Sequence, residues 1–144
     1  PPEPARVARL RLRLAAARPD LLVVSGDEAA SMLGMRPAGG IAAARALAEL
    51  APVLLVTSGA DGSAAVAADG ELEVPAPSLP GPMLDSTGAG DAFLAALLVG
   101  LADQATWPPP DDALQAAMER GSLAGARVAR VVGAQGRIAS EEAR

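Results

Sequence analysis

Cysteine, histidine, lysine and tyrosine are all absent from this chain of 144 residues, so its 12 basic residues are all arginines. Without histidine or cysteine, Ser-His-Asp and Cys-His nucleophiles and His/Cys zinc sites are excluded, and any metal must be held by oxygen, which favours Mg²⁺ or an alkali ion. Without lysine, a Walker A phosphate loop is excluded as well. Aromatics are nearly missing, with one Phe and one Trp, so a core must be built from Ala, Leu and Val. Long apolar runs are lacking too: the longest, residues 92–101, falls far short of the ~20 residues that span a bilayer. The balance of charge is acidic, with a formal net charge of -5 and a pI near 4.6, which argues against nucleic acid and anionic membrane as partners. Nothing near the N-terminus resembles a signal peptide, and a cytoplasmic chain is expected.

What is present reads as one domain of alternating strands and helices. Residues 5–18 have helical periodicity, with Val7, Leu10 and Leu14 on one face and Arg6, Arg9 and Arg13 on a solvated basic face. Leu21-Leu22-Val23-Val24 and Val53-Leu54-Leu55-Val56 are short continuous apolar runs, the mark of strands buried on both faces. Between them, Gly39-Gly40 opens a helix to Leu50 that carries Ile41, Ala44, Leu47 and Ala48 on one face. Asp69-Gly70 joins residues 63–68 to 71–74 as a hairpin, and the proline-rich stretch 75–82 is a rigid connector. Strand, helix and strand in succession predict a mostly parallel sheet covered by helices, with ligands at the carboxyl ends of its strands. The run 92–101 is apolar all round, which predicts a buried helix. Asp111 or Asp112 is expected to cap a last long helix to about Val131, in which Gly121 and Gly125 allow close approach of a neighbouring helix. Trp107 reads as a partly buried loop anchor.

The most informative stretch is Asp85-Ser86-Thr87-Gly88-Ala89-Gly90-Asp91-Ala92-Phe93, a glycine-rich loop entering a helix. The first N–H groups of a helix lack internal partners and, with the helix dipole, form a site for negative charge that glycines leave open to a phosphate. Asp91 lies in the first turn beside it, where a carboxylate suits proton abstraction during phosphoryl transfer. Taken alone, Gly-x-Gly-Asp also fits a plain turn with Thr87 as N-cap and Asp91 complementing the dipole. A dinucleotide fingerprint does not fit, because Phe93 stands where its third glycine should be.

The whole string 85–97 closely resembles the signature of the ribokinase-like (PfkB) carbohydrate kinases. That resemblance implies a three-layer α/β fold and transfer of the γ-phosphate of ATP to a hydroxyl of a sugar or sugar acid. Asp91 would act as base, and the backbone of Gly88, Ala89 and Gly90 would form the anion hole. Thr57-Ser58-Gly59-Ala60-Asp61-Gly62, a plain turn when read alone, resembles the family's Thr-x-Gly-x-x-Gly loop, which implies nucleotide contacts from Thr57, Gly59 and Gly62. Asp27 falls where the family carries the Asn of an Asn-x-x-Glu that holds Mg²⁺ and nucleotide, and Ala30 falls at the Glu. Neighbouring Glu28 is a possible substitute, and cap and first-turn acid are the alternative roles for Asp27 and Glu28. Ser122 matches an adenine-side position. Asp85 and Thr87 match groups that bind a monovalent cation such as K⁺, with Arg137 near further ligands around Gly133. Gly133-Ala134-Gln135-Gly136 resembles the family's closing segment, and Ser140-Glu141-Glu142 the capping start of one last short helix.

The chain opens without methionine and shows no Gly-Gly-Asn segment of the family's sugar-binding half. The expectation is therefore a single unit, residues 1–144, forming the C-terminal nucleotide-binding part of such a kinase, with an incomplete sheet. Such a piece would expose an edge and an apolar face, and would homodimerise or associate with a missing N-terminal half. The alternatives are a nucleotide-binding pseudokinase and a non-catalytic fragment.

Overall fold

The computed structural model describes residues 4–131. In chain order the elements are α1 (Pro4–Ala17), β1 (Leu21–Ser25), α2 (Gly26–Leu33), α3 (Gly40–Leu47), β2 (Val53–Thr57), β3 (Ser63–Val66), β4 (Glu71–Val74), α4 (Ala89–Leu101) and α5 (Asp111–Val128). Short 3-10 turns at Ala48–Leu50 and Gly59–Asp61 lead into β2 and β3. The expected features at Gly133, Arg137 and Ser140 lie outside the described residues.

Four strands form one sheet in the order β1-β2-β3-β4. Only β1 and β2 run parallel, whereas β2 with β3 and β3 with β4 are antiparallel. The expected mostly parallel sheet is thus corrected among the described residues. The cause is connection length: β1 reaches β2 through two helices, but β3 and β4 follow turns too short for a crossover and can only reverse the chain.

Alternation along β2 divides the core. Val53 and Leu55 join Phe93, Leu97, Leu114 and Met118 on the α4/α5 side, and Leu54 and Val56 join Ala29, Met32, Ala44 and Leu47 on the α2/α3 side. Val53 to Val56, four of the five β2 residues, are fully buried, as a continuous apolar strand covered on both faces should be. The arrangement is helices, sheet, helices, and these three layers match the expected α/β architecture. The basic face of α1 is exposed at Arg6, Arg9 and Arg13, as its periodicity implied.

Two helix expectations change. In α4, Phe93, Leu97 and Leu101 are buried, but Leu98 is 50% and Val99 72% exposed, so the helix is apolar all round without being buried all round. One face meets the sheet and α5, and the opposite face is open. In α5, Pro110 precedes the first turn and accepts from Leu114 N at 3.0 Å, so Asp111 and Asp112 sit inside the helix instead of capping it.

Gly121 and Gly125 do serve helix packing. A Cβ on Gly121 would lie 3.0 Å from the Phe93 ring, and one on Gly125 would lie 2.8 Å from Ala89 O. Trp107, 40% exposed, donates from Nε1 to Asp20 O at 3.2 Å and ties its loop to the start of β1. No helix among the described residues is long and apolar enough to cross a membrane.

Candidate functional site

The carboxyl ends of the parallel strands set the position of the site. Ser25 of β1 pairs with Thr57 of β2, Thr57 with Ser63 of β3, and Ser63 with Val74 of β4, so these four residues form the last row of the sheet. Beyond this row opens a cleft of about 1090 Å³, walled by the starts of α2, α3 and α4 and by the turn after β2. Of the residues singled out in the sequence, Asp27, Thr57, Gly59, Ala89 and Gly90 line it.

At α4 the chain enters through a left-handed residue. Gly88 has φ 81° and is the N-cap, so Thr87 is not. Asp85 Oδ1 accepts from Thr87 N at 2.9 Å, an Asx turn that starts the approach. Ala89 N donates to Ser86 O at 3.1 Å, so this N–H, expected to face an anion, is engaged in the turn. Gly90 and Asp91 follow as the second and third helical residues, whose N–H groups have no intrahelical acceptor by helix geometry. An added Cβ on Gly90 would meet nothing within 4 Å. The backbone there faces open space in the cleft wall, which is the feature that close approach of an anion requires. Asp91 is exposed in the first turn of α4 and, like Gly88, Asp85 and Thr87, is not among the cleft-lining residues.

At α2 the junction is capped by Ser25, two residues before Asp27, the first of the residues weighed for that role. Glu28 N donates to Ser25 Oγ at 3.2 Å, and Glu28 Oε2 accepts from Ser25 N at 2.7 Å and Ser25 Oγ at 2.9 Å, a complete capping box. Asp27 pairs with Arg36 at 2.8 Å across the cleft mouth, both side chains being largely exposed. Ala30 is half-buried and carries no polar group. Sequence reasoning missed Arg36 and Glu73 in the wall, and also Gly39 and Gly40, read only as a helix opening. A Cβ on Gly40 would lie 3.1 Å from Ala64 Cβ and 3.3 Å from Ser58 Oγ. The signal for Gly40 was visible as a Gly-Gly pair, whereas Arg36 and Glu73 reach the cleft only through tertiary folding.

Gly59 is exposed with φ 56° at the cleft rim. Gly62 is placed differently: with φ 90°, it is buried under β4, where a Cβ would come within 2.2 Å of Val74 O. It closes the turn into β3, its N–H donating to Gly59 O at 3.1 Å and its carbonyl accepting from Ser58 N at 2.8 Å. Ser122 lies half-buried on α5 between the two packing glycines, away from the cleft wall. No group of three or more acidic side chains that could hold a metal ion occurs among the described residues. A Mg²⁺ arriving with polyphosphate does not need one, since it keeps waters and takes only one or two carboxylates.

Comparison with known proteins was made against this geometry. The family model described as pfkB family carbohydrate kinase matches residues 1–141. That match gives no support to assigning the chain to the C-terminal part of the family's domain. Aminoimidazole riboside kinase of Salmonella typhimurium is 38% identical over 81 residues, which are 56% of this chain and 24% of that protein. The crystal structure of aminoimidazole riboside kinase from Salmonella enterica, complexed with aminoimidazole riboside and an ATP analog, superposes with TM-score 0.74 and 28% identity, covering 91% of this chain and 42% of that one. Fructokinase from Vibrio cholerae O395, with fructose, ADP and calcium ion bound, gives TM-score 0.74 at 25% identity, covering 89% of this chain and 40% of that one. The chain thus spans less than half the length of the kinases it matches.

Proposed function

The chain belongs to the pfkB family of carbohydrate kinases, and from that premise we propose that it forms the nucleotide-binding portion of an ATP-dependent phosphotransferase acting on a sugar, sugar acid or nucleoside hydroxyl. The observation that carries this reading is the open backbone at Gly90, set at the start of α4 in the wall of the cleft beyond β1 and β2. Polyphosphate seated there would accept from the first-turn N–H groups of Gly90 and Asp91, with the dipole of α4 adding to the attraction. Thr57 and Gly59 would flank the nucleotide from the β2 turn. Asp27 would exchange its Arg36 partner for the bound Mg²⁺, releasing the guanidinium towards the phosphates.

The chemistry proposed for the complete site is in-line transfer. The acceptor oxygen forms a bond to the γ-phosphorus as the bond to the β-phosphate oxygen breaks, the acceptor's proton passes to the Asp91 carboxylate, and ADP leaves. Mg²⁺, when bound, neutralises charge on the transferring phosphates. Asp85 and Thr87 are proposed as neighbours of a K⁺ through their carbonyl and side-chain oxygens. Gly62 and Ser122 are assigned supporting roles under the cleft and in the α4/α5 contact, following where they sit. A second reading, nucleotide binding without catalysis, is favoured by Ala30 at the family's Glu position in the register that places Asp27 at the Asn.

Amide chemical-shift mapping during titration with Mg·ATP tests the proposal. Perturbations are expected to concentrate on Gly26, Gly40, Gly59 and Gly90. Perturbations centred on α1 or on the outer face of α4 would overturn it.

A further inference from the structure

We infer that Arg130 is a positioning residue for the anion-binding turn, acting through the proline-rich connector that delivers the chain to α4. The inference rests on the nucleotide reading of the cleft. Pro75, Pro77, Pro80 and Pro82 lack N–H groups, so the connector offers carbonyl acceptors but few donors with which to bind itself to the fold. Donors must come from elsewhere, and half-buried Arg130 supplies them. Its Nη2 donates to Leu79 O at 2.9 Å, its Nε to Pro80 O at 3.1 Å and its Nη1 to Ala126 O at 2.7 Å. Two of these carbonyls belong to the connector and the third to the last turn of α5, where the helix dipole favours a cation. One residue earlier, Ala129 O accepts from Leu84 N at 2.8 Å and Asp85 N at 3.2 Å, which continues the same seam.

From Asp85 the geometry is short and determined. The carboxylate of Asp85 turns the chain at Thr87, Ser86 O receives Ala89 N, and Gly88 enters α4. Gly125, five residues before Arg130 on α5, lies against Ala89 O. The end of α5 therefore holds the connector on one side and the first turn of α4 on the other. The planar guanidinium suits this task because its N–H donors form a fixed fork; a lysine ammonium at the end of a flexible stem does not reproduce three simultaneous carbonyl contacts.

This separates positioning from simple attraction of phosphate by a positive charge. The experiment compares the 144-residue chain with Arg130→Ala and Arg130→Lys, using backbone amide hydrogen exchange and calorimetric titration with Mg·ATP and with adenosine. In both variants the amides of residues 84–90 are expected to exchange about tenfold faster, the scale of one lost hydrogen bond to a charged group, while β2 amides are unchanged. Affinity for Mg·ATP is expected to fall by about tenfold in both, with adenosine binding unaffected. Restoration of both readouts by Arg130→Lys would overturn the inference in favour of charge alone. Unchanged exchange of residues 84–90 in Arg130→Ala would overturn it whatever the parent chain binds. A folded parent chain that does not bind Mg·ATP would instead overturn the reading of the cleft, and the positioning role with it.

Discussion

Alanine at Gly90 is expected to move stability and binding in opposite directions. Gly90 lies in α4 without a positive φ, and an added Cβ meets no atom within 4 Å, so alanine fits the fold without strain. Replacing a helical glycine by alanine stabilises by roughly 0.5–1 kcal/mol, and the first turn belongs at the lower end of that range. For a domain of this size the melting temperature should rise by roughly 2–4 °C per kcal/mol. Because Gly90 lines the cleft, the same methyl group is expected to crowd a phosphate oxygen at the Gly90 N–H in the proposed complex. Losing one hydrogen bond to a charged group is worth about 1.5–3 kcal/mol, which weakens binding by about 10- to 100-fold. Thermal scans and calorimetry on the same preparation measure both. Gly88→Ala is the control of opposite sign: with φ 81° it forces a left-handed alanine and should lower stability by about 1–2 kcal/mol. A Gly90→Ala chain that melts higher and binds Mg·ATP as tightly as the parent would refute the assignment of this turn to the phosphates.

Gly125→Ala places a Cβ 2.8 Å from a backbone carbonyl at Ala89, and the overpacking should lower stability by about 1–3 kcal/mol in denaturant titration while weakening Mg·ATP binding in parallel. The hydrogen bond from Arg45 holds the Glu71 carboxyl below the usual carboxylate range, so the pair's contribution is fully present at neutral pH and is lost as pH falls through the lowered folded-state value. Arg45→Ala should accordingly narrow the stability difference between neutral pH and pH about 3, as read from melting temperatures. Val99, 72% exposed on the open side of α4 beside half-exposed Leu98, should drive self-association; Val99→Lys is expected to reduce it in sedimentation velocity with no loss of melting temperature.

Those elements whose signal is local were legible from the sequence. The apolar runs of β1 and β2 lie between turn residues, and the string from Asp85 announces a loop before a helix; Asp69-Gly70 marks the β3/β4 hairpin but not its turn, since β3 already ends at Val66, Asp69 has no positive φ and Ala67 N donates to Gly70 O at 2.9 Å. Thr57 and Gly59 could be placed at a ligand site because ligands gather at the carboxyl ends of parallel strands, whereas Ala89 and Gly90 are joined to them only through the helix start and the resemblance carried by residues 85–97. What escaped was set by contacts distant in sequence or by competition among neighbours. Ser25 outcompetes Asp27 as cap because Glu28, three residues on, returns the hydrogen bond. Gly62 reads like a ligand glycine, yet its lack of a Cβ is needed by Val74 O. The open face of α4 could not be inferred from periodicity, since an apolar helix does not state which of its sides has a partner. The clamp of Arg130 on Leu79 and Pro80 spans some fifty residues and has no local signature.

The most direct measurement is calorimetric titration of Mg·ATP into the 144-residue chain beside its Asp91→Asn and Gly90→Val variants. Saturable binding by the parent, retained in Asp91→Asn and abolished in a folded Gly90→Val, is the expected result, because the proposed mechanism has the first turn of α4 bind through its backbone and gives Asp91 only the proton. A folded parent chain that takes up no Mg·ATP, or a Gly90→Val chain that binds it equally well, would contradict the assignment of the cleft to a nucleotide.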